Sequence, residues 1–312
     1  MERPNRDVAE WNVAHMKISV QCRPFAIPSR DPADCVVVAR LADAAGLYGI
    51  HFGEHVVMGE HPEAYPYAGV TYPHRLDAEW LEPITTLGAM AAVTSSLRLS
   101  TGVLLAPLRS AALLAKSLAT LDVLAHGRTE IGIGIGWQRE EYDASGVDWD
   151  SRYQRLLDTV RVCRALWESP QPVDVHTRTY SFERIYCSPR PVQQRLPLLF
   201  GWAMTPKRAR LVADLGDGWI PSHVPIDGVA EYVAMLRSAF VDAGRDPSEL
   251  IVRAMVTEPS DPSATVDVGR LVAEAHELQA AGATVVAIPT PRGASSLTDL
   301  EKFFQQLAEE TA

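Results

Sequence analysis

Residues 131–141 read IGIGIGWQREE, which places Gly132, Gly134 and Gly136 at alternate positions inside an apolar run. Glycines this close together, ahead of a charged segment, raise the question of a dinucleotide-binding turn. That turn needs its third glycine three positions after the second, where it lets the next helix pack on the strand. Here the third glycine comes two positions on. The match is poor, and the run reads as a strand with one face stripped of side chains. Such a face either suits crowded packing inside a barrel or leaves room for a flat ligand against the backbone.

Working outward from this strand, short β-branched runs alternate with longer helical patterns. Strands are predicted at 17–21 (KISVQ), 48–53 (YGIHFG), 97–105, 129–135, 197–201 (PLLFG), 217–221 (DGWIP), 250–256 (LIVRAMV) and 283–289 (ATVVAIP). Apolar residues at helical spacing mark helices at 33–46, 83–95, 110–127, 152–168, 205–216, 228–244, 268–282 and 297–310. Gly46, Gly127, Gly216, Gly244 and Gly282 close five of them, as left-handed C-terminal caps would. Eight strand–helix units predict a (β/α)8 TIM barrel over 17–312, behind an N-terminal arm at 1–16; a doubly wound sheet is usually complete after about five or six strands. Two insertions interrupt the alternation. The one after strand 2, residues 54–80, lies on the C-terminal face and is the expected substrate lid. The other, 169–195 before strand 5, alternates like a hairpin and belongs to the opposite face or flank.

Composition narrows the function. Among 312 residues, 47% are hydrophobic and 22% charged, an ordinary globular balance. A net charge of -10 without any basic run argues against nucleic acid as a partner. No segment has the roughly 18 uninterrupted apolar residues of a membrane span. The start, MERPNRDVAEWN, lacks the apolar core of a signal peptide, so a cytoplasmic protein is expected. Cys22, Cys35, Cys163 and Cys187 are too scattered for a zinc site or a disulfide framework, and no metal is expected.

GRTEIGIGIGWQREEYDASGVDWDSRYQRLLDTVRVCRALW resembles the luciferase-like monooxygenase superfamily, in its actinobacterial branch of deazaflavin (coenzyme F420) dependent oxidoreductases. So do STGVLLAPLRSAALLAKSLATLDVLAHGR, LFGWAMTPKRARLVADLGDGWIPS and GLYGIHFGEHV, in the family's order across about residues 17–290. The resemblance implies a cofactor, F420 or alternatively FMN, at the C-terminal mouth of the barrel, where it carries the redox chemistry. It implies catalytic roles for Glu54 and His55, the acid–His pair ending strand 2; a lone His there is otherwise structural or solvated. It implies a cis peptide at Gly102–Val103 against the ring, where an ordinary trans strand is the alternative.

For the ring edge and ribityl chain the resemblance points to Gly134, Gly136, Trp137 and Glu140, although Arg139-Glu140-Glu141 also reads as a solvated ion cluster. For the phosphate it points to Gly201, Trp202, Ala203, Thr205 and Arg208, at a helix start whose free N–H groups favour an anion. Thr205 before Pro206 is equally a plain helix cap. Two departures stand out: bulky Trp202 where relatives have small residues, and Ile135 where FMN-using luciferases have a basic residue and some F420 enzymes a hydroxyl. Tyr67, Tyr72, His74 and Trp80 in the long loop, with Trp219 and His223 after strand 6, are the expected pocket for an apolar or planar substrate. The alternative for the loop aromatics is packing of the loop onto the rim.

The expected activity is F420-dependent hydride transfer with a small organic substrate. The alternatives are a two-component FMN monooxygenase and a barrel that binds flavin without turnover. Arginine outnumbers lysine 25 to 4, a bias of GC-rich genomes that goes with F420, a coenzyme common in actinobacteria. A homodimer is expected through helices near strands 2 and 3, where PITTLGAMAAVTS is rich in small apolar residues.

Overall fold

The computed structural model describes residues 16–312 apart from 68 and 259–265, so the predicted arm, Met16 excepted, lies outside the described residues. All eight predicted strands form, each within two residues of its expected ends. They are β1 (Ile18–Gln21), β2 (Gly49–Phe52), β3 (Arg98–Leu105), β4 (Thr129–Gly134), β7 (Leu198–Phe200), β8 (Gly218–Trp219), β9 (Ile251–Met255) and β10 (Val285–Pro289). Every neighbouring pair is parallel, and β1 closes the ring on both β2 and β10, giving the barrel. The second insertion folds as an antiparallel ribbon, β5 (Val173–His176) and β6 (Ser181–Ile185). It follows a helix and packs on the flank, where Thr179 and Tyr180 bond to Asp158 and Thr159.

The outer layer consists of α1 (Cys35–Ala44), α2 (Pro83–Val93), α3 (Ala111–Leu124), α5 (Arg152–Glu168), α6 (Pro206–Leu215), α7 (Ile226–Asp242), α8 (Val268–Ala280) and α9 (Leu297–Glu310). A further short helix, α4 (Arg139–Ala144), was not expected from periodicity, since its six residues are too few to show a repeat. Gly46, Gly127, Gly244 and Gly282 take the left-handed cap conformation. Gly216 does not. Its φ is -110°, and a Cβ there would come within 2.7 Å of the Phe200 ring, so close approach rather than capping accounts for this glycine.

Inside the barrel the lower layer is polar. Arg253 is fully buried, donates to Ser100 Oγ and the Thr101 carbonyl, and lies 3.6 Å from Glu130. Ser19 Oγ bonds to His51 Nδ1 at 2.9 Å. Burial, then the Arg253 and Arg23 charges, push the His51 pKa well down, which keeps the imidazole neutral.

At the N-terminal end, Asp217 joins the chain segments. It accepts from Arg164, from Arg195 Nε at 2.5 Å, from Arg245 at 3.1 Å and from the Leu198 N–H at 2.9 Å. Burial alone would raise its pKa, but Arg164 and Arg195 hold it below the ordinary carboxylate range. Its stabilising contribution is therefore present above the unfolded-state value near 3.9 and is lost as pH falls through the lower folded value. Asp217→Ala leaves the buried Arg164 without its carboxylate, while Arg195 and Arg245 keep Glu168 and Glu249, and is expected to lose about 3 kcal/mol in denaturant unfolding.

Candidate active site

The floor of the C-terminal mouth is built around one irregularity. The β3–β4 register shifts between Thr101 and Leu104, where β3 carries an extra residue, and the Gly102–Val103 peptide there is cis, as expected. The glycine stripe of β4 explains how this bulge is accommodated. A Cβ on Gly132 would lie 2.3 Å from the Thr101 carbonyl oxygen and 2.5 Å from Ile220; one on Gly134 would lie 2.5 Å from a Val103 methyl. Gly201 clears the other Val103 methyl, also at 2.5 Å. Crowded packing is thus the answer at Gly132 and Gly134, and the residue lodged between the bare strands is Val103. Gly136 has φ +69°, a left-handed turn that sends the chain outward to Trp137.

His55 stands beside this floor, its side chain 9% exposed. Its ring makes edge contacts with Trp80 (5.1 Å), Trp137 (5.7 Å) and Tyr72 (5.9 Å). Its acidic partner is not the adjacent Glu54. Instead, Nδ1 lies 3.1 Å from Glu141 Oε2 on α4, and Glu141 Oε1 accepts the Val56 N–H at 2.9 Å. A carboxylate only accepts, so the proton sits on Nδ1; among the described residues nothing bonds Nε2, which is left to exchange a proton. Glu54 serves the scaffold. It is buried, ion-paired to Arg109, and accepts the Leu105 N–H at 2.7 Å, which ties the end of β2 to the end of β3. The expected catalytic pair of Glu54 with His55 is corrected accordingly: the acid that meets His55 is Glu141.

The long loop folds over the mouth and is pinned by Gln138, which donates to the Gly59 carbonyl and accepts the Gly59 N–H at 2.8 Å. Tyr72 and His74 sit 5.4 Å apart, His74 and Trp80 5.6 Å apart, and Tyr67 packs at 4.2 Å on His223, so all five reach the mouth. The Tyr72 hydroxyl and the Trp80 indole nitrogen are buried and make no hydrogen bond of normal geometry with described residues. Burial lowers His223, and burial together with Arg23 brings His74 down to about 4, so both are neutral near pH 7.

Three expected residues face elsewhere. Trp219 is fully buried against Tyr232 of α7, 5.6 Å between rings, because strand alternation sends it to the helix layer and Ile220 inward. Trp202 likewise stacks on Phe200 at 4.2 Å, on the helix side. It therefore does not obstruct the mouth, and only its backbone shares the rim. Glu140 packs over Gly59 and lies 3.8 Å from His61, on the outer flank. The adjoining Glu141, one residue on, is the one that meets the site.

At the start of α6, Thr205 Oγ1 accepts the Arg208 N–H at 3.2 Å, so Thr205 is the helix cap. Arg208 Nη1 donates to the Ala203 carbonyl at 2.7 Å. Ala203 and Thr205 remain exposed, leaving the helix N-terminus open to an anion.

A closed parallel barrel with its buried His and aromatic cage at the C-terminal mouth has the layout of a barrel enzyme. The family model for luciferase-like monooxygenases matches residues 16–296, and the chain belongs to that family. The family and its relatives support an oxidoreductase in general. A phthiodiolone/phenolphthiodiolone dimycocerosates ketoreductase of Mycobacterium tuberculosis is 30% identical over 240 residues, covering 74% of this chain and 62% of that protein. Two solved structures share the fold at a TM-score of 0.74. Monooxygenase RslO1 from Streptomyces bottropensis is 23% identical, covering 95% of this chain and 98% of its own. An F420-dependent secondary alcohol dehydrogenase in complex with an F420-acetone adduct is 17% identical, covering 96% and 100%. Among the described residues no helix is long and apolar enough to cross a membrane.

Proposed function

We propose that the protein is an F420-dependent oxidoreductase that exchanges a hydride with a small organic substrate at this mouth. The observation that carries the reading is His55, held by Glu141 through Nδ1 and walled by Trp80, Tyr72 and Trp137. The residues present fit a deazaflavin. Val103 would support the ring, Gly136 and Trp137 its edge, and Gly201, Ala203, Thr205 and Arg208 the phosphate. The buried Tyr72 hydroxyl and Trp80 N–H, which interact with each other, offer it polar contacts. Ile135 packs against the core, so that position gives the phosphate of FMN no charge.

Bound F420 would supply the two-electron hydride chemistry. In the reducing direction doubly protonated His55 gives its Nε2 proton to the carbonyl oxygen; in the oxidising direction neutral His55 takes the hydroxyl proton at Nε2. Tyr67, Tyr72, His74 and Trp80 cover the substrate and exclude water. The ketoreductase relative supports carbonyl and alcohol chemistry. An anaerobic assay with reduced F420 and a panel of ketones and aldehydes tests the reading, with loss of the reduced cofactor as the expected result. Oxygen uptake with reduced FMN and no F420 turnover would contradict it.

The same reading includes a cytoplasmic homodimer formed through α2 and α3, which expose Val93, Leu113 and Leu124. Sedimentation equilibrium at twice the chain mass is the expected outcome.

A further inference from the structure

On the side of the mouth away from Glu141 lies a charged group that hydride and proton transfer leave unused. Arg23 follows β1, Glu258 follows β9 and Arg292 follows β10, three strands adjacent in the barrel whose C-terminal ends converge there. Glu258 bridges the two arginines, ion-paired to Arg23 and accepting from Arg292 Nη2 at 2.8 Å. Arg23 is 4% exposed. Among the described residues, its Nε and Nη1 are buried without any hydrogen-bond partner.

A guanidinium is a rigid fork of donors, and burying part of it unpaired is costly. Such a fork calls for an acceptor that the described residues do not provide. The surroundings indicate what kind. Phe25 lies 5.0 Å from His74 and 4.7 Å from Trp80, and Trp80 in turn contacts His55. Burial, with the charges of Arg23 and Arg292, keeps His74 of the long loop neutral. Two guanidinium groups and one carboxylate leave a local charge of one positive unit. A monoanion balances that charge, whereas a phosphate dianion overshoots it, and a planar carboxylate can take Nη1 and the second Nη2 hydrogen of Arg23 in two parallel hydrogen bonds.

We propose that Arg23, with Arg292 beside it, holds the carboxylate of an organic-acid substrate whose apolar body lies against Phe25, His74 and Trp80, next to His55. The inference rests on the mouth being the active site and adds the substrate class.

Binding tests it separately from turnover. The full-length protein is titrated with benzoate, benzyl alcohol and phenyl phosphate while tryptophan fluorescence is followed. Benzoate is expected to saturate, with the neutral alcohol and the phosphate each about ten-fold weaker. Arg23→Lys keeps the charge but removes the fork, so benzoate weakens about ten-fold and benzyl alcohol does not change. If Arg23→Lys fails to fold, Arg292→Gln, at a more exposed site, decides by the same loss. Equal binding of alcohol and acid, tighter binding of phenyl phosphate, or benzoate affinity unchanged in folded Arg23→Lys and Arg292→Gln would each overturn the proposal. F420 binding measured on the same samples shows whether only the substrate class fails or the cofactor reading with it.

Discussion

Replacing His55 by Gln is expected to lower turnover about 10²–10⁴-fold, the range for loss of a positioned acid–base group, with F420 affinity within about two-fold of the parent. Gln keeps a similar size among Trp80, Tyr72 and Trp137, so the cage stays filled. It cannot exchange a proton near neutral pH. Glu141→Gln isolates the role of the partner. The amide still contacts the imidazole but no longer fixes which nitrogen carries the proton, and the expected loss is about 10–100-fold. Glu54→Gln acts differently, because Glu54 holds Arg109 and the Leu105 N–H. It is expected to lower the melting temperature, with its effect on turnover following the scaffold. Turnover unchanged in folded His55→Gln would remove His55 from the chemistry.

Gly134→Val is expected to weaken cofactor binding by more than about ten-fold and to destabilise the fold by about 1–3 kcal/mol, the cost of overpacking. A Cβ at 134 already lies 2.5 Å from one Val103 methyl, and Gly201 stands equally close to the other. Valine has one stiff side-chain torsion. With both flanks occupied Val103 cannot turn aside, and the floor of the mouth must move. Gly88→Ala in α2 is the control. Its added methyl meets nothing within 4 Å, and stability is expected to hold or rise by up to about 1 kcal/mol. Equilibrium unfolding and a cofactor titration on both variants check the pair.

Much of this was legible in the sequence because the barrel repeats one pattern eight times. Strand runs, helix periodicity and glycine stops agree with one another, so errors at single positions do not accumulate. The site was legible where motif and geometry coincide: His55, the Gly102–Val103 peptide, Gly136, Trp137, Thr205 and the loop aromatics all reach the mouth. It was less so where side-chain direction decides. Runs such as LLF and DGWIP are apolar on both faces, so pattern alone does not say which residue points inward. Trp202 and Trp219 therefore looked like mouth residues, and Ile220 was passed over. The choice of Glu140 over Glu141 has a related cause, since neighbouring residues on a helix point about 100° apart and α4 was too short to be predicted. Arg253 and Glu130 are single charges inside apolar strands, a visible signal for the polar barrel floor that the strand reading absorbed as noise. Arg23 carried no signal. Its meaning comes from Glu258 and Arg292, more than 230 residues away in the chain and brought beside it only by barrel closure.

The most direct test of the cofactor reading is a fluorescence titration of the purified protein with F420 and, separately, with oxidised and reduced FMN. Saturable binding of F420, with FMN at least about ten-fold weaker in both states, is the predicted result. Preference for reduced FMN would contradict the hydride-transfer account and make the protein an oxygen-using monooxygenase.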